Sequence, residues 1–195
     1  MTNNRKIVAA ASLAICAACG GSKTYNLSGT ATVNPPNTVG GIALTPGDAV
    51  SLVVPQSGSN VGAIVISSQA NQCNELNAHR DLKNGVLLSI ALGVHAAGSS
   101  TITPPTLGTY TIFSRANITG QTGNIGDALF LTTNATCGIT AQTEATSGTV
   151  TLTRVDENGY GGTFDLMFGT TDHLVGSFNS GSCSALVGTS VSCPP

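Results

Sequence analysis

The sequence predicts an all-β protein: an antiparallel β-sandwich with one short helix, preceded by an N-terminal signal segment. Apolar and polar residues alternate with a period of two over much of the chain, the pattern of strands with one buried face. Clusters of Gly, Pro and Asn, among them "VNPPNTVGG", "TPPTLG" and "GQTGNIGD", punctuate these segments as turns do. Only 8% of the residues are charged while 41% are hydrophobic, so Thr, Ser, Asn and Gly must cover the surface. β-Branched Thr suits a pleated, half-solvated face, and the hydrophobic content is too high for a disordered chain. Strands at this spacing, without an internal repeat, suit two packed sheets, with a closed β-barrel as the alternative.

The first 18 residues read as a secretory signal. Arg5 and Lys6 precede an apolar run from Ile7 to Ala18, "IVAAASLAICAA", which leads into "CGGSK". Charged, apolar and small residues in that order mark a segment removed on export. As a helix the run spans about 18 Å, short of the roughly 30 Å of a bilayer core, so a permanent transmembrane helix is not expected. Ala17 and Ala18 before Cys19 resemble the lipobox of bacterial lipoproteins, in which the cysteine after the cut is acylated and becomes the new N-terminus. Cys16 stands where that family usually has Leu. The other register, "LAIC", would place Ile15 against the scissile bond, so Cys19 is the expected lipidation site.

Cysteine parity agrees with that choice. A cut before Cys19 removes Cys16, acylation uses Cys19, and Cys73, Cys137, Cys183 and Cys193 remain to pair in an oxidising compartment. The expected organisation is a lipoprotein signal peptide over 1–18, a lipidated tether over 19–24 and a single β-sandwich domain over 25–195. An ordinary signal cleaved without acylation is the alternative. Residue 20 is Gly rather than the Asp that holds such lipoproteins in the inner membrane, so the resemblance implies an outer-membrane lipid anchor.

Within the domain, Val50, Leu52 and Val54 in "DAVSLVV", Ile64 and Ile66 in "GAIVIS", and Val86, Leu88, Ile90 and Leu92 in "GVLLSIALG" alternate with polar or small neighbours. Tyr110 and Ile112, Leu129 and Leu131, Val150 and Leu152, Phe164, Leu166 and Phe168, and Leu174 and Phe178 extend the pattern. The helical stretch is "NQCNELNAHRDL", with Asn71 as N-cap and Cys73 and Leu76 on one side. It is expected to lie over one end of the sheets, stapled there by Cys73. In "GTVTLTRVDENGYGGTFDLMF", a two-residue Asn158-Gly159 turn would set Leu152 opposite Asp165. A three-residue loop from Glu157 to Gly159 instead sets Leu152 opposite Phe164 and Val150 opposite Leu166, with Gly159 in the left-handed region, and is the expected register.

The mature region is similar to small lipoproteins of unassigned function found in myxobacteria and related bacteria. The resembling residues are the "CGGS" start, "QCNELNAH" after an apolar strand, "LGTYTIF", "SGTVTLTRV" and "GGTFDLMFGTTDHLVGSF" with the following Cys183. The resemblance covers most of the mature chain and rests on strand patterns and cysteines. It implies location and architecture, and no reaction.

The residues point to no catalytic constellation. Four cysteines allow three pairings. If strands over 127–134, 148–156, 160–168 and 173–178 form a meander, Cys137 and Cys183 lie at opposite ends and Cys73 becomes the preferred partner of Cys183. No paired C-x₂-C spacing marks a metal site. His79, His95 and His173 are the candidate bases, but Asp172 beside His173 points to the opposite face of a strand. No G-x-S-x-G, H-E-x-x-H or phosphate loop is present. Asp156 and Glu157 fall in a turn and Asp165 on a solvent face, which suits solubility better than a glycosidase pair. "DENG" lacks the remaining ligand positions of a calcium loop.

Charge and aromatic content narrow the partners. The net charge is -2, and loss of Arg5 and Lys6 makes it more negative, which disfavours nucleic acid. There is no Trp, and of Tyr25, Tyr110 and Tyr160 the second falls in an apolar alternation, leaving too few rings for a stacking platform. The expectation is therefore a non-enzymatic envelope lipoprotein without cofactor. Its role is structural or interactive, with a ligand- or glycan-binding module as the alternative. Its partners would be the membrane, through the lipid anchor, and an envelope protein or glycan.

Overall fold

The computed structural model describes residues 28–56, 58–78 and 80–183. The signal segment, Cys19, Tyr25, His79 and Cys193 therefore lie outside the described residues. The elements in chain order are β1 (Thr30–Val33), β2 (Thr38–Val39), β3 (Ile42–Ala43), β4 (Asp48–Gln56), β5 (Ser59–Ser67), α1 (Gln72–Asn77) and β6 (Val86–His95). They continue with β7 (Ile102–Thr103), β8 (Gly108–Phe113), β9 (Gly123–Thr133), β10 (Ile139–Asp156), β11 (Gly159–Phe168), β12 (Asp172–Asn179) and β13 (Gly181–Ser182). The fold is all-β with one short helix, as the alternation requires.

One curled sheet supplies both layers of the sandwich-like fold. Its order is β1-β12-β11-β10-β8-β9-β6-β5-β4-β13, with β7 beside β6, while β2 and β3 form a separate hairpin. Neighbours run antiparallel except for β8 with β9 and β13 with β4. The inner face buries Ile64, Ile66, Leu88, Ile90, Tyr110, Ile112, Phe130, Val150, Leu152, Phe164, Leu166, Phe168, Leu174 and Phe178 in a single cluster. Each large apolar side chain buried in this way stabilises by about 1.5–3 kcal/mol relative to exposure. Phe130 and Phe168 meet edge to face at 6.2 Å. Tyr110 is fully buried and satisfies its hydroxyl locally, donating to the Thr106 carbonyl at 2.8 Å and accepting from the Thr106 N–H at 2.7 Å.

The expected meander is present in part: 148–156, 160–168 and 173–178 pair in succession, but the strand over 127–134 pairs with residues 139–144 of the long β10, whose 147–152 segment lies beside β8 instead. Its central hairpin differs in register from the expectation. Val150 faces Phe164 and Leu152 faces Gly162, so neither Leu152–Phe164 nor Val150–Leu166 is a pair. The turn is the two residues Glu157 and Asn158, because Asp156 pairs with Gly159, and a register shift between Leu152 and Arg154 follows. That extra residue, the exposed Thr153, restores the parity a two-residue turn would break, and so Val150, Leu152, Phe164 and Leu166 still share the buried face. Gly159 does have positive φ, at 120°, and a Cβ there would stand 2.3 Å from the Ser180 carbonyl oxygen.

Further expectations are corrected. Leu129 and Leu131 do not face the main core, because Ala128 and Phe130 take the inward positions of β9. Val50, Leu52 and Val54 face away from Ile64 and Ile66, and form a second cluster with Cys73, Leu76 and Cys183. The helix accordingly lies against the outer face of β4 and β5 rather than over the sheet end, since strands apolar on both faces need a cover on each. Asn71 makes no side-chain cap and sits at φ 58°. The Gln72 N–H instead donates at 2.8 Å to Oδ2 of Asp48, a residue of β4.

The two ends of the curled sheet meet in a seam. After Ser180 the chain of β12 runs on as β13, which sets Gly181 and Ser182 beside Val50 and Ser51 of β4. The Tyr160 N–H reaches Ser51 Oγ at 3.2 Å and Ser180 Oγ at 3.1 Å, and Arg154 Nη2 donates to the Ser180 carbonyl at 2.8 Å. Gly29 enters between them, where a Cβ would lie 2.4 Å from the carbonyl oxygens of both Ala49 and Asn179. Asp48, only 1% exposed, fastens the corner: its Oδ1 accepts from Gly29 N at 2.9 Å and Ala49 N at 2.8 Å, and its Oδ2 holds the helix as above. A buried carboxylate is tolerated when several N–H donors replace its water. The Cys73–Cys183 disulfide, with Cα atoms 5.6 Å apart, closes the seam from the helix side.

Candidate functional site

The outer face of β10, β11 and β12 carries the most organised polar surface. Side chains on adjacent strands share a face when their Cα atoms are partners. Thr151 stands opposite Thr109 and Thr163, Thr163 opposite Ser177, and Ser177 opposite Thr32, which makes a row of hydroxyls across five strands. One step along, Thr149 faces Asp165 and Asp165 faces Val175. Between these rows lies a shallow depression of about 350 Å³, lined by Asn34, Thr149, Thr163, Asp165, Val175 and Ser177 over the backbone of Phe164 and Gly176.

Several hydroxyls elsewhere on the sheet are tied to a neighbour. Thr109 and Thr151 bond to each other at 3.0 Å, Thr132 and Thr140 at 2.8 Å, and Thr146 donates to the Gly169 carbonyl at 3.0 Å. Among the described residues, the side chains of Asn34, Thr149, Thr163 and Ser177 have no protein hydrogen-bond partner. Asp165 is held from outside the depression by His173, whose Nε2 lies 2.8 Å from Asp165 Oδ1. Both side chains are about half exposed, at 44% for His173 and 56% for Asp165.

His173, one of the candidate bases, pairs across the β11–β12 hairpin. Its partner is Asp165 on the neighbouring strand and not the adjacent Asp172, whose Oδ2 accepts from the Gly40 N–H at 2.7 Å. Among the described residues no hydroxyl is hydrogen-bonded to His173, so no base-activated nucleophile is assembled there. His95 sets both ring nitrogens against backbone carbonyl oxygens, those of Gln121 and Ser99, and so ties two loops together. Asp156 is paired with Arg154 Nη1 at 2.7 Å and, with Glu157, belongs to the hairpin end.

A second charged group lies on the outer face of β9. Arg115 Nε stands 3.0 Å from Asp127 Oδ2 and 3.5 Å from Glu144 Oε1. Burial raises the Asp127 carboxyl above its ordinary value of 3.8, outweighing the hydrogen bond and charge of Arg115, which pull it down. One guanidinium shared by two carboxylates is a structural arrangement. Among the described residues, no three of His, Cys, Asp or Glu converge on a metal-sized site, and no helix is long and apolar enough to cross a membrane.

Of the cysteines singled out in the sequence, Cys73 pairs with Cys183 as the meander topology favours. Cys137 is also disulfide-bonded. Cys19 and Cys193 lie outside the described residues. Neither Asp48 nor the Asp165–His173 pair was legible in the chain: the first depends on where the backbone N–H groups of Gly29 and Gln72 fall around β4, and the second on the register of the β11–β12 hairpin. Tyr160 joins Tyr110 in the core, and burial, reinforced by Tyr110, raises its phenol above the ordinary value. No family model matches the chain, and no curated protein or solved structure matches it significantly, so its geometry must carry the functional reading alone.

Proposed function

We propose that the chain is an envelope lipoprotein, acylated at Cys19 and held at the outer membrane, whose β domain acts without catalysis as a structural or interaction module. The observation that carries this reading is the disulfide chemistry. Cys73–Cys183 is fully buried and closes the sheet, and Cys137 is bonded too, which suits an oxidising compartment reached by export. Parity assigns Cys193 to Cys137 and leaves Cys19 for the lipid. Several acyl chains, each CH₂ worth about 0.8 kcal/mol on burial, anchor far more firmly than one. The absence of a nucleophile beside His173, among the described residues, supports a binding rather than a chemical role.

Fractionation of cells carrying the full chain tests the proposal. The parent is expected with the membranes, at an intact mass that begins at residue 19 and includes acyl chains. Cys19→Ser is expected as soluble or uncleaved material, and unchanged membrane association of that variant would sink the assignment.

A further inference from the structure

We propose that the depression between β10, β11, β12 and β1 is a binding site for a neutral sugar residue, recognised by hydrogen bonding without an aromatic platform. This goes beyond the anchored-module reading and does not depend on the lipid at Cys19. Three features of the site select the ligand.

Its polar groups are exposed and share one depression. Among the described residues, Thr149, Thr163, Ser177 and Asn34 line it with no protein partner for their side chains, which leaves their polar atoms to solvent or a ligand. A hydroxyl both donates and accepts, as does every hydroxyl of a sugar, so a cluster of them matches that chemistry in both directions. Asp165 adds an acceptor that only accepts. His173 holds its Oδ1, and Oδ2 is left to take the paired hydroxyls of a diol.

Charge excludes the obvious competitors. No Lys or Arg lines the depression, so a phosphate or sulfate would meet Asp165 without a compensating cation. Val175 is the one outward apolar side chain in the lining, too little to hold a lipid tail but enough to meet one face of a ring or a methyl group. The volume of about 350 Å³ sits at the small end of ligand pockets, which run from roughly 300 to 1,000 Å³, and suits one or two sugar rings. Binding by exposed hydrogen bonds is weak and gains its use from many copies on one surface meeting a repeating polymer.

Saturation-transfer NMR on the full chain tests the site, with D-glucose and N-acetyl-D-glucosamine as neutral probes and glucose 6-phosphate as the charged comparison. Transfer to at least one neutral sugar is expected, with little to the phosphate. The outward substitutions Thr163→Val and Ser177→Ala together, and Asp165→Asn separately, are expected to weaken binding about tenfold or more at an unchanged melting temperature. Gln142→Ala, on the part of β10 that pairs with β9, is expected to bind as the parent does. The proposal is overturned by no transfer to either neutral sugar, by binding that survives the double substitution, or by preference for the phosphate.

Discussion

The meander and the seam hold the same sheet together by different means. β11 pairs with β10, and β12 with β11, along most of their lengths, and apolar side chains of matching parity fill the inner face. At the seam only two residues of β13 pair with β4, and the joint relies on Asp48, Ser51, Arg154, Ser180 and a disulfide. Many replaceable contacts make the first region tolerant. A few buried polar contacts make the second brittle, because each leaves an unsatisfied group when its partner is removed.

Substitutions that break the contrast should therefore hurt most at the seam. Asp48→Ala strips three backbone N–H groups of their acceptor and is expected to cost about 3–5 kcal/mol, read as a lower urea midpoint, with Asp48→Asn less severe. A parent-like midpoint for Asp48→Ala would show that the corner is held by something else. Replacing Cys73 and Cys183 together by Ser should cost about 2–4 kcal/mol. In that variant, hydrogen exchange should speed up in β4 and α1 while β10 and β11 stay protected; uniform loss would mean that seam and meander unfold as one unit.

Gly159→Ala puts a methyl group against the Ser180 carbonyl at positive φ, and a loss of about 2 kcal/mol in thermal melts is expected. On the meander's solvent face, His173→Ala removes only an exposed hydrogen bond to Asp165, for a change below about 1 kcal/mol. A larger effect would assign that pair a structural weight its exposure does not suggest.

The smallest effect concerns pH. Burial raises the folded-state pKa of Asp127, so the folded protein holds this proton more tightly than the unfolded chain does. By linkage, the contribution of this group is least favourable at neutral pH. It improves as pH falls through the raised value and is complete below about 3.8, the unfolded value. Comparing Asp127→Asn with the parent across that window should show a flatter profile for the variant. An identical slope in both would remove Asp127 from the account.

The same division decides how much of the molecule could be read from the chain. Period-two alternation placed the long strands of the meander and put Val150, Leu152, Phe164 and Leu166 on one face, and the topology it implied selected the Cys73–Cys183 pair. It misjudged the hairpin pairing, because a bulge at Thr153 has no signature in hydrophobicity. It misplaced Leu129 and Leu131, because β9 is apolar on both faces and alternation then has no sign. The seam and the polar depression were invisible for a related reason: Asp48, Gln72 and Gly29, or Asn34, Thr149 and Ser177, meet only after the sheet has curled.

The closing strand has a consequence for the order in which the protein is made. β4 is complete by residue 56, yet its outer neighbour is β13, and the cysteine that staples α1 against it is 110 residues beyond Cys73. A chain that emerges from its N-terminus must carry an unpaired strand edge and a free thiol through most of its synthesis. A stalled or shortened copy never receives either partner. Such a copy presents a sticky edge and a reactive sulfur together, so incomplete molecules are marked for aggregation or chaperone capture while finished ones conceal both marks.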